Sequence, residues 1–247
     1  MLFKTNTIVG HRGCKLVDQN NTVEAFLKAV ECGAEMVEMD IRRTRDGVIV
    51  VFHDADIDGF RIKGHLYEDL TEKANNCGLV LPTLDNVLEQ LEGKVQLDVE
   101  LKEGGYEREV VSSILKRFSP AEFVITSFLD QTVLSVKRQF PTVKTGLILG
   151  VSPVNREFNW GGFRSIAQRI SEFFPWRRLS ACGADFIAVN WKNLFLGLLK
   201  SAHKRHIPVF VWTVNKPKQI RQLLETRLVS GIVSDRPDLA QMERKSL

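Results

Sequence analysis

His11, within Gly10-His11-Arg12-Gly13, and His53, within Phe52-His53-Asp54, stand among other residues able to do chemistry. Glu38-Met39-Asp40 lies between them, and Glu100-Leu101-Lys102 follows. Each fragment closes a run with strand character: Thr7-Ile8-Val9, Met36 to Ile41, Val48 to Phe52, and Val95 to Leu101. Two imidazoles that exchange protons near neutral pH, three carboxylates and the cations of Arg12 and Lys102 suit metal-assisted cleavage of a phosphate ester. His65, His203 and His206 read as ordinary histidines; the last two sit at the end of a helix and just beyond it, where a cation suits the dipole.

Glu38, Asp40 and Glu100 offer hard oxygen donors, which select Mg²⁺ or Ca²⁺ and admit Mn²⁺. No His/Cys cluster has the spacing of a zinc site. Either acidic pair alone reads equally well as an interior ion-pair network with Arg42 and Lys102; the two together favour a metal. Arginine grips two phosphate oxygens with a planar fork and lysine acts as a movable point charge, so Arg12 and Lys102 are candidate phosphate contacts. Trp212, in Val211-Trp212-Thr213-Val214-Asn215, is placed either as a wall of the pocket or in the core.

These groups meet only if the strands carrying them share a sheet and a rim. Strand patterns fall at 7–10, 36–41, 96–102, 122–127, 144–149, 186–191, 208–214 and 231–234. Helical patterns fall at about 22–32, 83–91, 106–117, 130–139, 196–205 and 217–226. Eight strands with helices between them predict a closed TIM (β/α)₈ barrel, with a short insertion after the second strand region and an extended connection after the fifth strand. An open doubly wound sheet would carry a Gly-rich phosphate loop after its first strand, and His11-Arg12-Gly13 is not one. Asn21-Thr22 and Pro82-Thr83 are helix starts. Residues 1–247 show no internal break and are expected to form a single domain.

Side chains alternate across a strand with a period of two. Val95, Leu97, Val99 and Leu101 then face the helices, and Gln96, Asp98, Glu100 and Lys102 face the barrel axis. Val37, Met39 and Ile41 point outward, leaving Glu38, Asp40 and Arg42 inside. Charges there are costly unless paired, hydrogen-bonded or bound to a metal, which is what a catalytic rim requires.

The 247 residues are 44% hydrophobic and 26% charged, a globular composition with ample capacity for a core. A net charge of +4 with short basic blocks gives no nucleic-acid footprint. Cys14, Cys32, Cys77 and Cys182 lack C-x-x-C spacing, so free thiols in the cytoplasm are expected. The first residues show no apolar leader, and no stretch has the length of a membrane span.

Gly10-His11-Arg12-Gly13, Asn21-Thr22 with Ala25-Phe26, Glu38-x-Asp40, His53-Asp54, Pro82-Thr83-Leu84, Glu100-x-Lys102, Trp212-Thr213-Val214-Asn215 and Ser234-Asp235-Arg236-Pro237 occur in this order. The series resembles the glycerophosphodiester phosphodiesterase family from about residue 7 to 238. The resemblance implies a TIM barrel that hydrolyses glycerophosphodiesters to glycerol 3-phosphate and an alcohol with a divalent cation. It implies His11 and His53 as the acid/base pair, Glu38, Asp40 and Glu100 as metal ligands, and Arg12 and Lys102 as phosphate contacts. It also implies a small insertion, from His53 to about Pro82, that helps cover the substrate. Two positions depart from the family pattern. Asn20 stands where a Glu usually precedes the Asn-Thr pair, and Ile57-Asp58-Gly59-Phe60-Arg61 replaces the common run after the second histidine.

The sequence leaves open which histidine takes the proton, with His11 as base the favoured order. The nucleophile is either water or the glycerol 2-hydroxyl. Residues 151–180 are long and aromatic for a connection: Phe163, Ile166, Ile170 and Phe173-Phe174 recur at helical spacing among Arg164, Arg169, Arg177 and Arg178. They read as an extra helix on the barrel mouth, or as a lid making transient membrane-surface contact. The second form would suit an alternative activity, lysophospholipase D-type headgroup release from lysophospholipids. A third reading, a barrel that binds phosphodiesters without turnover, would be signalled by a lost histidine or metal ligand, and every such position is filled.

Overall fold

The computed structural model describes residues 5–150, 175–194 and 196–247. Its first strand, β1 (Thr7–His11), leads through α1 (Val23–Glu31) to β2 (Met36–Arg43). Thr22 caps α1 by accepting the Ala25 N–H at 3.2 Å, and the buried face Ala25, Phe26 and Ala29 follows at helical spacing. After β2 the chain turns back as β3 (Ile49–Val51), antiparallel to the end of β2.

Between His53 and Pro82 lies an insertion. It holds the hairpin β4 (Asp56–Ile57) and β5 (Phe60–Arg61), a 3-10 turn at Ile62–Gly64, and α2 (Tyr67–Asn76). Ile57, Ile62, Leu70, Ala74 and Leu81 bury themselves with Val50 in a small core under it. Its position on the rim follows from that core.

Strand and helix then alternate as α3 (Leu84–Leu91), β6 (Gln96–Leu101), α4 (Glu107–Ile114), β7 (Phe123–Ser127), α5 (Asp130–Gln139) and β8 (Lys144–Leu149). They continue as α6 (Trp176–Cys182), β9 (Phe186–Asn190), α7 (Leu196–Lys204), β10 (Val209–Trp212), α8 (Pro217–Thr226), β11 (Gly231–Ser234) and α9 (Pro237–Lys245). Eight parallel strands close in the order β1-β11-β10-β9-β8-β7-β6-β2, with β2 pairing back onto β1. All eight strand patterns are barrel strands, and each of the six helical patterns is a helix within two residues at its start and three at its end. Three of the described α-helices have no counterpart among the six patterns: α2, α6 and α9. The expected helix or lid over 151–180 falls mostly on 151–174, outside the described residues; 176–180 belong to α6. Among the described residues no helix is long and apolar enough to cross a membrane.

Strand parity divides the core in two. Val37, Met39, Ile41, Leu97, Val99 and Leu101 pack outward against Phe26, Leu84, Val87, Val110 and Ile114 of the helices. Inside, Val9, Met36, Val124, Ile148, Phe186, Ala188, Phe210 and Val233 fill the barrel. Phe186 and Phe210 meet with ring centroids 5.1 Å apart. Each ring lies over a glycine on the next strand: Gly146 beside Phe186, and Gly231 beside Phe210. A Cβ at residue 146 would overlap the Phe186 ring. Gly146→Ala is therefore expected to lower unfolding stability by about 1–3 kcal/mol through overpacking. A urea midpoint equal to that of the parent would contradict this packing account.

Candidate active site

β2 and β6 run side by side in parallel, with Glu38 opposite Asp98 and Asp40 opposite Glu100. Their even-numbered side chains face the axis, as the alternation predicts. Ligand-capable atoms of Glu38, Asp40 and Glu100 lie within 4.8 Å of one another, and all three residues are buried.

Two cations meet this cluster. Lys102 Nζ lies 2.7 Å from Asp40 Oδ1 and 2.7 Å from Glu100 Oε1, while Arg12 Nε lies 3.1 Å from Asp40 Oδ2. Asn21 reinforces the same carboxylate: its Nδ2 donates to Asp40 Oδ2 at 2.7 Å, and its Oδ1 accepts the Asp40 N–H at 3.2 Å. Asn21 adopts φ 58, a left-handed conformation that asparagine tolerates.

The three acids respond differently. Burial pushes the Asp40 carboxyl up, but Lys102 and Arg12 together more than offset it and hold the group well below the usual carboxylate range. Glu38, which accepts the Arg12 N–H at 2.9 Å, is driven well above its ordinary value by burial and by the charges of Asp40 and Glu100. Glu100 also rises, because burial outweighs the pull of Lys102. The cluster thus holds more negative charge than its cations neutralise. Three hard oxygen donors this close, two of them resisting ionisation, fit a divalent cation. One layer deeper, Asp98 accepts the Thr126 hydroxyl at 2.7 Å and is pushed by burial to about 7.

His11 ends β1. Its Nδ1 lies 2.7 Å from Asp235 Oδ1, just past β11, and its Nε2 points to the acidic cluster, 4.0 Å from Glu38 Oε2. His53 lies across the cavity, with Nδ1 2.7 Å from Asp54 Oδ1. Arg42 sets the His53 backbone by donating from Nε at 3.0 Å and Nη2 at 2.7 Å to its carbonyl, while pairing with Glu103. Burial lowers both imidazole pKa values: Asp235 opposes the effect at His11, and the Lys102 charge adds to it at His53. Both rings are therefore neutral near pH 7 and able to accept a proton.

A cavity of about 520 Å³ joins these groups. His11, Arg12, Glu38, His53, Glu100, Lys102 and Trp212 line it, and Asp40 is fully buried beneath. The eight site residues expected from the sequence, His11, Arg12, Glu38, Asp40, His53, Glu100, Lys102 and Trp212, thus arrive at one end of one barrel. The insertion adds Arg61 and Lys63 to the rim. Phe128, Leu129, Ile148, Ala188, Trp212 and Val233 make the remaining side apolar, with Trp212 edge-on to Phe128 at 5.8 Å.

Sequence reasoning passed over Asn21, Lys15, Asn215 and Asp235. Asn21 enters the sequence analysis as part of a helix start and of a quoted motif, without a role at the site, although Thr22 does the capping. Asn215 and Asp235 stood in quoted motifs without a role. The available signal for Asp235 was parity, since it is two residues past Val233, which faces the axis.

Residues 11–239 match the glycerophosphoryl diester phosphodiesterase family. The glycerophosphodiester phosphodiesterase of Caldanaerobacter subterraneus subsp. tengcongensis is 26% identical over 258 residues, covering 96% of this chain and 98% of that protein. A glycerophosphodiester phosphodiesterase structure from Parabacteroides distasonis superposes with a TM-score of 0.79 at 23% identity, covering 98% of each chain. An Oleispira antarctica phosphodiesterase, solved with its product sn-glycerol-3-phosphate, has a TM-score of 0.75 at 19% identity and covers 98% of this chain and 97% of its own.

The buried acids set a pH dependence. Asp98 keeps its proton in the fold up to about 7, whereas an exposed aspartate releases it near 3.8. Folded protein binds the extra proton between those values, so this contribution is present at low pH and is lost as pH rises through 7. In the absence of divalent cations, Asp98→Asn should gain stability relative to the parent between about pH 5 and about pH 8. Urea unfolding at both pH values checks this; a constant difference between the two proteins would refute it.

Proposed function

The chain belongs to the glycerophosphoryl diester phosphodiesterase family, and we propose that His11 and His53 are the acid–base pair with which it hydrolyses glycerophosphodiesters to glycerol 3-phosphate and an alcohol. The observation that bears most weight is the convergence of Glu38, Asp40 and Glu100 within 4.8 Å on a cavity that both histidines line. As a member of this family the protein is a phosphoric diester hydrolase. Residues 1–247 serve as one catalytic domain, a reading supported by a family match spanning 11–239.

Glu38, Asp40 and Glu100 would hold a divalent cation, Mg²⁺ or Ca²⁺ with Mn²⁺ also suited, which would supply positive charge to the bound phosphate. Arg12 and Lys102 hold its oxygens and stabilise charge that grows as the bond breaks. Lys102 reaches them from beside Asp40 and Glu100. His11 Nε2 takes the proton of the attacking hydroxyl, from water or from the glycerol 2-position; His53, protonated from solvent once the anionic ester offsets the Lys102 and Arg12 charges that lower its pKa, returns a proton to the departing alkoxide. Trp212 walls the side away from the charges.

The apolar half of the cavity supports a second reading, headgroup release from lysophospholipids, because Phe128, Leu129 and Ile148 offer a glycerol moiety no polar partner. Transient contact of 151–180 with a membrane surface belongs to that reading and rests on its sequence pattern. Cys14, Cys32, Cys77 and Cys182, far apart in sequence and without C-x-x-C spacing, support a reducing cytoplasmic setting.

Turnover of glycerophosphocholine, glycerophosphoethanolamine and a lysophospholipid, each assayed with Mg²⁺ or Ca²⁺ and with EDTA, tests both readings. EDTA should abolish turnover and added cation restore it; activity indifferent to EDTA would refute the metal role. His11→Ala and His53→Ala should each lower kcat by about 10²- to 10⁴-fold with the thermal midpoint little changed. Unaltered turnover in both variants would remove the acid–base assignment.

A further inference from the structure

Asp235 is the most fully engaged side chain at the rim that the reaction itself does not use. Its Oδ1 lies 2.7 Å from His11 Nδ1. Its Oδ2 accepts from Lys15 Nζ at 2.8 Å and from Asn215 Nδ2 at 2.6 Å. Asn215 Oδ1 in turn accepts the Asp235 N–H at 2.9 Å and the Ser234 hydroxyl at 3.1 Å. The Lys15 N–H also donates to the Asp235 carbonyl at 2.9 Å, tying the loop that carries Arg12 to the end of β11. The contacts on Oδ2 and on Asn215 each have a fixed donor and acceptor, and the other carboxylate oxygen meets a ring nitrogen.

We propose that Asp235 is a positioning residue for His11: it fixes the ring in the tautomer with hydrogen on Nδ1 and turns a bare Nε2 toward the acidic cluster. An ionised carboxylate only accepts, so the ring nitrogen facing it must donate. The proton of a neutral imidazole then sits on Nδ1, and Nε2 keeps the lone pair that takes the nucleophile's proton. Lys15 and Asn215 are part of the device, because they occupy Oδ2 and leave Oδ1 alone to face the ring. The inference rests on the reading of His11 as one of the acid–base pair.

This geometry makes an unusual demand on Asp235→Asn. The substituted amide has one acceptor and one donor end. Two donors, from Lys15 and Asn215, already face the Oδ2 position, so the amide oxygen must settle there and the NH₂ group must face His11. His11 Nδ1 is then forced to accept, the ring proton moves to Nε2, and the base can no longer take a proton at the reacting side. Exchanging the two residues in Asp235→Asn/Asn215→Asp reverses this. A carboxylate at 215 accepts from the amide NH₂ and takes over the Lys15 ammonium as well, and the amide oxygen returns to face Nδ1–H.

The test is ¹⁵N-histidine NMR at a pH where the ring is neutral, combined with kinetics on glycerophosphocholine in saturating Mg²⁺. The parent should show His11 with hydrogen on Nδ1. Asp235→Asn should show it on Nε2, with kcat reduced by about a hundredfold or more and KM within about threefold. The exchanged double variant should recover the Nδ1–H signal and at least about tenfold in kcat. A parent ring protonated on Nε2 would overturn the proposal, whether or not any variant folds. A loss of kcat in Asp235→Asn with the tautomer unchanged would also overturn it. The NMR readout needs no substrate, so its failure is distinct from failure of the hydrolase reading.

Discussion

Like charge confined to a small dry volume is the constraint from which the rest of this architecture follows. Glu38, Asp40, Asp98 and Glu100 all face the axis on two neighbouring strands. Two unit charges about 4 Å apart repel by about 4 kcal/mol at an effective dielectric near 20. Arg12 pairs with Asp40 and Lys102 bridges Asp40 and Glu100; the Asp40 carboxyl, which meets both cations, stays ionised, while Glu38, Glu100 and Asp98 are pushed toward holding protons. A fully neutralised network would have no such asymmetry. The strain is local to one rim, which is where an incoming cation and an anionic ester would relieve and use it.

The other end of the barrel interior makes this arrangement tolerable. Phe186 and Phe210 occupy the axis over glycines on adjacent strands, so this part of the ring is filled largely by apolar side chains. Outside, the helices cover the odd-numbered residues of β2 and β6 with Phe26, Leu84, Val87 and Val110. The same two strands therefore contribute to the packed shell with one parity and to the charged rim with the other. A register slip of one residue would exchange those faces.

What could be read from the sequence was whatever depends on local pattern. Strand parity placed Glu38, Asp40, Glu100 and Lys102 correctly, because a period of two needs no knowledge of the partner strand. Helix starts at Thr22 and Thr83 were readable from their capping chemistry. α2 escaped because it buries only Leu70 and Ala74, and α9 because it buries Pro237, Ala240 and Gln241, too sparse a stripe for periodicity to detect. The Asp235–His11 contact escaped for a different reason. It joins residues far apart in sequence, and which strand neighbours which at the closure of a barrel is a property of the ring rather than of either segment. Asn21 was hidden by ambiguity, since its type suits a helix cap as well as a carboxylate partner.

The seam between β1 and β11 has a consequence for synthesis. A ribosome delivers His11 early and Asp235 some 224 residues later. Until then β1 has no neighbour on one edge, the loop bearing Arg12 has no anchor at Lys15, and the His11 ring has no Asp235 carboxylate beside Nδ1. A nascent chain consequently carries its acidic residues and its imidazoles long before the rim is assembled, because the ring closes only as β11 docks beside β1.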